Sequence, residues 1–248
     1  MTTSPDYFSK IHLAVCASTN DYLKQNISRL EADFPLMVSA AIQVAGRGRE
    51  NRGWISPENL GIYATFGLIL PDSRGLSLLS ITSGIAVIDM LQNWTGKIFS
   101  LKWPNDILAD GKKVAGILCE TIVKADRIIC LVGIGVNVNH DAGDFPAALR
   151  SRAGSLKLLT GVEWPLHNGR ERLAASMASW LKKLAQGRRS GIIRRARYLS
   201  RSFLGQAVAF HHQGRIVRGV FLDIAPDGGL LLDLEGAEKK IFYSGELE

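Results

Sequence analysis

The dipeptide Asp110-Gly111 constrains this chain more than any other feature, because it stands between two apolar runs and makes the backbone reverse within two residues. A type I′ turn needs positive φ at both central positions, which Asp and Gly tolerate, so the flanking runs are expected to pair as antiparallel strands. Ile98 to Lys102 and Asp106 to Leu108 precede the turn, Lys113 to Val123 follows it, and Arg127 to Asn139 reads as a further strand. Gly133 and Gly135 inside that last run signal close approach of another group to the backbone. Leu36 to Gln43 and Asn59 to Leu70, rich in β-branched and apolar residues, add two more strands. So much sheet needs helices to cover it. Ser18-Thr19-Asn20-Asp21 offers N-cap chemistry ahead of Tyr22, Leu23, Ile27 and Leu30, which share one helical face. Leu76 to Trp94 carries Leu79, Ile85, Ile88 and Leu91 at helical spacing, and Glu171 to Leu184 is amphipathic. After Phe203 the pattern changes to short strands, Gln206 to His211, Ile216 to Asp223, Gly229 to Leu234 and Lys240 to Tyr243, with Asp227-Gly228-Gly229 as a turn. The expected organisation is one large unit over 1–203 and a small all-β unit over 204–248, with no internal repeat.

Composition excludes several classes. With 248 residues, 46% of them hydrophobic and 21% charged, the chain is neither disordered nor collagenous nor a coiled coil. No run approaches the roughly 18 consecutive apolar residues of a membrane span, and the start MTTSPDYFSK has no signal-peptide core, so a soluble, cytoplasmic protein without a membrane partner is expected. Cys16, Cys119 and Cys130 have no CxxC spacing and read as buried free thiols. His12, His140, His167, His211 and His212 lack ligand spacing and read as solvated or core-edge. The net charge of +7 is local: residues 172–222 hold eleven Lys/Arg and no Asp or Glu, leaving 19 basic against 23 acidic residues elsewhere. Lys182-Lys183, Arg188-Arg189, Arg194-Arg195, Arg197 and Arg201 suggest two short helices, either a solvated face or a docking surface for an acidic protein or nucleotide. Phosphate-loop, dinucleotide-fold, zinc-protease and serine-hydrolase motifs are missing from the sequence.

Two constellations remain. Between the first two strands runs AGRGRENRGWISPEN, a long polar loop expected to be mobile, with Gly46-Arg47-Gly48-Arg49, Arg52 and Trp54. Guanidiniums interspersed with glycines wrap an anion through bidentate donors and close backbone N–H groups; a solvated basic loop is the other reading. The second is Lys102-Trp103-Pro104-Asn105-Asp106 followed across the hairpin by Lys113-Val-Ala-Gly116. There Asn105 and Asp106 offer oxygen ligands for Mg²⁺ and Lys113 offers a cation for a reacting carboxylate or phosphate, unless they are only a turn and a surface lysine.

Taken together, Ser18-Thr19-Asn20, Gln43 through Arg49 with Arg52-Gly-Trp54, Lys102 through Asp106, Lys113 through Leu118 and Gly133-Ile-Gly-Val-Asn137 resemble the biotin protein ligases, block by block and in order. Ser244-Gly245-Glu246 resembles the end of that family's C-terminal SH3-like domain. The resemblance implies an α+β fold, a mixed sheet backed by helices of the class II synthetase-like kind, with a small C-terminal SH3-like β-barrel. It implies ATP-dependent formation of biotinyl-5′-AMP and transfer of biotin to a lysine of a biotin carboxyl carrier domain. By it, Lys113, Arg49, Asn105 and Asp106 are catalytic, with Asp106 on Mg²⁺. Ser18, Thr19, Asn20, Gln43, Gly46, Arg47, Gly48 and Gly116 join Arg49 and Lys113 around biotin. Arg47, Arg49, Arg52, Trp54, Lys102, Asn105, Lys113 and Asn137 surround the nucleotide.

The sequence also departs from the family. Only 17 residues precede Ser18, so a short form without the DNA-binding domain of some members, and without specific DNA binding, is expected. Val44 stands where some relatives have a second Gln, Asn51 where some have Gly, and Ile134 where a smaller residue separates the two glycines. Monomer and homodimer are both compatible with the resemblance. A lipoate or octanoate ligase or transferase is the alternative enzyme, and a basic nucleic-acid-binding protein the alternative of another class.

Overall fold

The computed structural model describes residues 7–70, 73–124, 127–212, 214–234 and 238–247. Its larger part is built from β1 (Ser9–Cys16), α1 (Thr19–Gln25), α2 (Ile27–Leu30), β2 (Leu36–Gln43), β3 (Gly61–Leu70), α3 (Leu76–Thr95), β4 (Ser100–Lys102), β5 (Asp106–Ala109), β6 (Lys112–Lys124), β7 (Arg127–Asn137), α4 (Leu156–Thr160), α5 (Leu166–Ala185) and α6 (Arg189–Leu199). Seven strands form one sheet in the order β1-β2-β3-β7-β6-β5-β4, parallel between β1 and β2 and antiparallel elsewhere. The expected hairpin is present: Asp110 and Gly111 take φ of 47° and 74° between β5 and β6. Asn26 divides the first helical stretch in two, because its side chain donates to the Tyr22 carbonyl at 2.8 Å and competes with the helical ladder.

Strand alternation gives the sheet two different faces. On β7, Cys130, Val132, Ile134 and Val136 point into the main core with Ile62, Ala64 and Phe66 of β3 and Ile117 of β6. Helices α3, α5 and α6 cover that face. The 20-residue α3 is long and apolar enough to cross a bilayer, with a mean hydropathy of 1.3, yet 67% of that window is buried in this core. On the opposite face Ile129 and Leu131 join Leu36 and Val38 of β2 and Leu23 of α1 in a smaller cluster. The next positions on that face of β7 are Gly133 and Gly135, which leave the sheet bare for the site.

The remaining strands, β8 (Ala207–His212), β9 (Arg215–Ile224), β10 (Leu230–Leu234), β11 (Lys239–Phe242) and β12 (Glu246–Leu247), form a second, antiparallel sheet in the order β11-β10-β9-β8-β12. Phe210, Phe221, Ile224, Leu230 and Leu232 from it share the main core. The Trp103 indole, 2% exposed, donates to the Gly228 carbonyl at 2.9 Å, and Arg197 of α6 donates to the Ile224 carbonyl at 3.0 and 2.8 Å. The appendage is therefore welded to the larger sheet by packing and by buried polar contacts.

Candidate active site

The site begins at the N-terminus of α1. The Ser18 side chain accepts from the Asp21 N–H and caps the helix, which turns Thr19 and Asn20 down onto the sheet, both 3% exposed. Thr65 of β3, opposite Gly133 in register, lies within 2.8 Å of the Thr19 hydroxyl and 2.5 Å of the Asn20 amide oxygen. Asn20 donates to Glu120 at 2.8 Å, and Thr19 N–H donates to the Gln43 amide oxygen at 2.8 Å. Gln43 in turn donates to Ser56 at 2.9 Å, whose hydroxyl faces the Trp54 carbonyl at 3.2 Å. A Cβ on Gly133 would collide with the Asn20 amide and one on Gly135 with the Trp54 indole. Those are the two close approaches to the backbone that the glycines of β7 signal.

At the other end of the same cavity the chemistry is cationic. The ammonium of Lys113 lies 2.6 Å from a carboxylate oxygen of Asp106 and 5.4 Å from the centre of the Trp54 ring. The bulge between Ile107 and Leu108 on β5 lets Lys113 and Asp106 converge from neighbouring strands. Asn105, 8% exposed, donates to the Ile117 carbonyl at 2.8 Å and accepts from Arg49 at 3.2 Å. The second sheet reaches in here: Arg49 donates to the Gly245 carbonyl at 2.8 Å, and Arg52 forms a two-point pair with Glu246, one arm at 3.0 Å. Burial would raise the Glu246 carboxyl, but the hydrogen bond and charge of Arg52, with Lys113 and Arg49 nearby, hold it below its ordinary value. The same pairing raises Arg52.

These residues enclose a cavity of about 580 Å³, large enough for a drug-sized ligand. Ser18, Thr19, Asn20, Gln43, Arg47, Gly48, Arg49, Arg52, Trp54, Lys102, Asn105, Asp106, Lys113, Gly116 and Asn137 all line it. Gly46 stays off the wall: its carbonyl accepts from Trp54 N–H at 2.8 Å at the neck of the loop, where a Cβ would strike Ser56. Arg47, expected to grip an anion, lines the cavity in a salt bridge. Its guanidinium is paired in two-point fashion with Asp21 and lies 3.5 Å from Glu120, so its charge is already neutralised. The loop expected to be mobile carries one 3₁₀ turn at Arg49–Asn51 and an isolated bridge between Arg47 and Gly53.

Sequence reasoning missed Thr65 and Glu120, and it missed that Glu246 reaches the cavity wall. Thr65 and Glu120 both sit in strands read as apolar runs; Glu120 shares the parity of Gly116 along β6, whereas Thr65 meets Gly133 only through the pairing of β3 with β7. Ile134, which stands where a smaller residue separates the glycines in the family, packs into the core beneath the sheet because its parity is opposite to theirs, and it also borders the cavity. Two expectations need correction. Of the thiols read as buried, Cys130 is fully so and Cys16 and Cys119 are half-buried residues; loss of solvent around the sulfur still pushes Cys119 up to about 12 and Cys130 to about 11. His140 is fully buried, stacked on Phe145 at 5.1 Å. The basic 182–201 segment is the end of the long helix α5 together with α6, on the face of the sheet away from the cavity, with Arg195 tied to Asp89 at 2.6 Å and Arg197 to Asp223 at 2.8 Å.

A model of the biotin/lipoate A/B protein ligase family matches residues 13–139, just over half of the chain. The chain belongs to that family. A biotin protein ligase C-terminal domain model matches residues 203–248 of this ligase-family member, the segment of the second sheet. Its relatives include a biotin--[acetyl-CoA-carboxylase] ligase of Mycobacterium tuberculosis, 33% identical over 233 residues that make up 90% of this chain and 83% of that one. The bifunctional ligase/repressor BirA of Bacillus spizizenii is 33% identical over 228 residues, 86% of this chain; the family member spans 65% of that relative's length. Among solved structures, a biotin protein ligase from Aquifex aeolicus in complex with biotin and ATP superposes with a TM-score of 0.82 at 29% identity, covering 97% of each chain. The mixed sheet backed by helices and the second antiparallel sheet are the architecture that the resemblance implied.

Proposed function

We propose that this chain joins biotin to ATP, forming biotinyl-5′-AMP and pyrophosphate, and then transfers the biotinyl group to a lysine of a biotin carboxyl carrier domain. The observation that carries this reading is one cavity with two unlike ends: an uncharged hydrogen-bonding corner of Thr19 and Gln43, and a charged end where Lys113, Arg49, Arg52 and Lys102 outnumber Asp106 and Glu246. A neutral head group suits the first and a carboxylate meeting a triphosphate suits the second. In the first step a carboxylate oxygen of biotin bonds to the α-phosphorus as the bond to pyrophosphate breaks. Two anions must come into contact, and Lys113 stands where it can neutralise both. For that, its ammonium leaves Asp106 at 2.6 Å and turns into the cavity.

Asp106 is a single carboxylate. Among the described residues no three His, Cys, Asp or Glu side chains gather as a metal cage. This donor set fits a cation that arrives with the nucleotide: Asp106 would hold Mg²⁺ together with phosphate oxygens, and the ion would neutralise phosphate charge. Among the described residues Arg49 donates to the neutral acceptors of Asn105 and Gly245, which leaves its charge available to the phosphates, whereas Arg47 braces the loop on α1. In the second step the carrier lysine's amine attacks the acyl carbon and AMP leaves. Water does the same unless it is kept out, which gives the loop over Trp54 its purpose.

The test combines purified protein, labelled biotin, ATP, Mg²⁺ and an apo carrier domain, with a parallel carrier lacking the acceptor lysine. ATP-dependent label on the intact carrier alone supports the reading. Transfer of octanoate or lipoate in place of biotin moves the chain to the sister activity, and no transfer of any acid refutes it.

A further inference from the structure

The polar corner of the cavity is one proton short. Three contacts run in series: Asn20 Oδ1 to Thr65 Oγ1 at 2.5 Å, Thr65 Oγ1 to Thr19 Oγ1 at 2.8 Å, and Thr19 Oγ1 to Gln43 Oε1 at 3.1 Å. Each hydroxyl brings one hydrogen and each amide oxygen none, so two protons serve three contacts. The direction follows from Glu120. A carboxylate only accepts, so the Asn20 NH₂ faces it at 2.8 Å and Asn20 Oδ1 is turned to Thr65. Thr65 must then donate to Asn20, and the single Thr19 proton goes to the shorter of its two contacts, Thr65 at 2.8 Å rather than Gln43 at 3.1 Å. Gln43 Oε1 already accepts from Thr19 N–H at 2.8 Å, and its NH₂ donates to Ser56. What remains is a pair of acceptor oxygens, Thr19 Oγ1 and Gln43 Oε1, facing each other across 3.1 Å on the cavity wall with no hydrogen between them.

Such a pair is completed by a donor from outside the chain. Without Glu120 the deficit disappears. Asn20 is then free to rotate its amide by 180°, presenting NH₂ to Thr65 and its oxygen to the Arg47 guanidinium, which lies 3.5 Å from the Glu120 oxygen. Thr65 would donate to Thr19, Thr19 to Gln43, and three protons would serve three contacts.

We propose that Glu120 is a positioning residue that fixes the proton direction of this network and so makes the Thr19–Gln43 corner select a head group that donates an N–H. The inference rests on the ligase reading, in which the head group is the ureido ring of biotin. Glu120 touches no reacting atom; it acts through Asn20 and Thr65, and its pairing with Arg47 and Lys24, each 3.5 Å away, keeps its acceptor oxygens in place.

The test compares adenylate formation from biotin with that from a cyclic carbamate analogue in which one ureido N–H is replaced by oxygen, reading KM and kcat for each. The wild-type protein is expected to favour biotin by about tenfold or more in KM, because the analogue leaves two acceptors facing a third. Glu120→Ala is expected to lose most of that preference, and Glu120→Gln, whose amide oxygen still accepts from Asn20, to keep it. Thr65→Val, which frees the Thr19 proton for Gln43, is expected to lose it as well and serves where Glu120→Ala fails to fold. A full preference retained in Glu120→Ala or Thr65→Val overturns the proposal. So does an equal loss in Glu120→Gln, since that would assign the effect to charge. Wild-type protein that adenylates neither compound overturns the ligase reading instead.

Discussion

Replacing Lys113 by Met removes the ammonium while keeping most of the side chain's length and its contact with Trp54. At about 4 Å from a developing charge, in surroundings with an effective dielectric near 20, a unit cation contributes about 4 kcal/mol. Each 1.36 kcal/mol is tenfold in rate, so adenylate formation should slow by about 10³. The loss should fall on the chemical step, since the ammonium is 2.6 Å from Asp106 in the unliganded chain and engages the phosphate only when it leaves that partner. A single-turnover measurement of adenylate from labelled biotin and ATP reads this directly. Transfer from preformed biotinyl-5′-AMP should be far less affected, because no phosphate anion is then approached by a carboxylate. Stability should fall as well, because the Lys113 side chain is 35% exposed but Asp106 only 11%, and the substitution leaves that carboxylate without its cation; the single-turnover rate is therefore read at a temperature where the variant is folded. A rate within a few-fold of wild type, or an equal loss in both half-reactions, would refute the argument.

Arg49→Ala should still form adenylate but release it, because the guanidinium joins the loop to Asn105 and to the Gly245 carbonyl; label appearing on proteins other than the carrier checks this, and undiminished retention contradicts it. Gly133→Ala should raise KM for biotin at least tenfold and cost about 1–3 kcal/mol of stability, since the added methyl strikes the Asn20 amide, as titration and urea unfolding would show. Burial lowers the pKa of His140 to about 4, opposed only in part by Asp144 and the Leu60 carbonyl. The unfolded imidazole titrates near 6.5, so between pH 6.5 and 4 the unfolded chain binds the extra proton and stability falls with pH, by about 3 kcal/mol from this group. His140→Phe should remove that part of the slope in urea midpoints measured from pH 7 to 4; an unchanged slope rules it out.

Most of the sheet could be read from the sequence because its strands are long, apolar and punctuated by Gly and Asp-Gly. β1 escaped because it is an edge strand whose alternation of Ile11 and Leu13 is too short to stand out, and β12 because two residues carry no period. The site was legible where spacing concentrated charge, as in Gly46 to Arg52 and Lys102 to Lys113. It was illegible where partners come from distant strands. Nothing near Arg47 says that Asp21 and Glu120 will neutralise it, and nothing near Arg52 says that Glu246, 194 positions on, will hold it. Ile134 shows the converse: it is next to Gly133 and Gly135 in the chain, yet its side chain packs into the core on the other side of the sheet.

That last contrast makes the size of the cavity a matter of arithmetic modulo two. Along β7 the odd positions 133 and 135 present hydrogen atoms to the cavity, while the even positions 132, 134 and 136 present branched side chains to the core. A slip of one residue in the pairing of β7 with β3 and β6 would plug the cavity with Ile134 and Val136 and hollow out the core in the same movement. Room for the ligand and the strength of the fold are thus two readings of one register. A chain that mispaired this strand would be penalised twice, and a variant could not enlarge the cavity by shifting it.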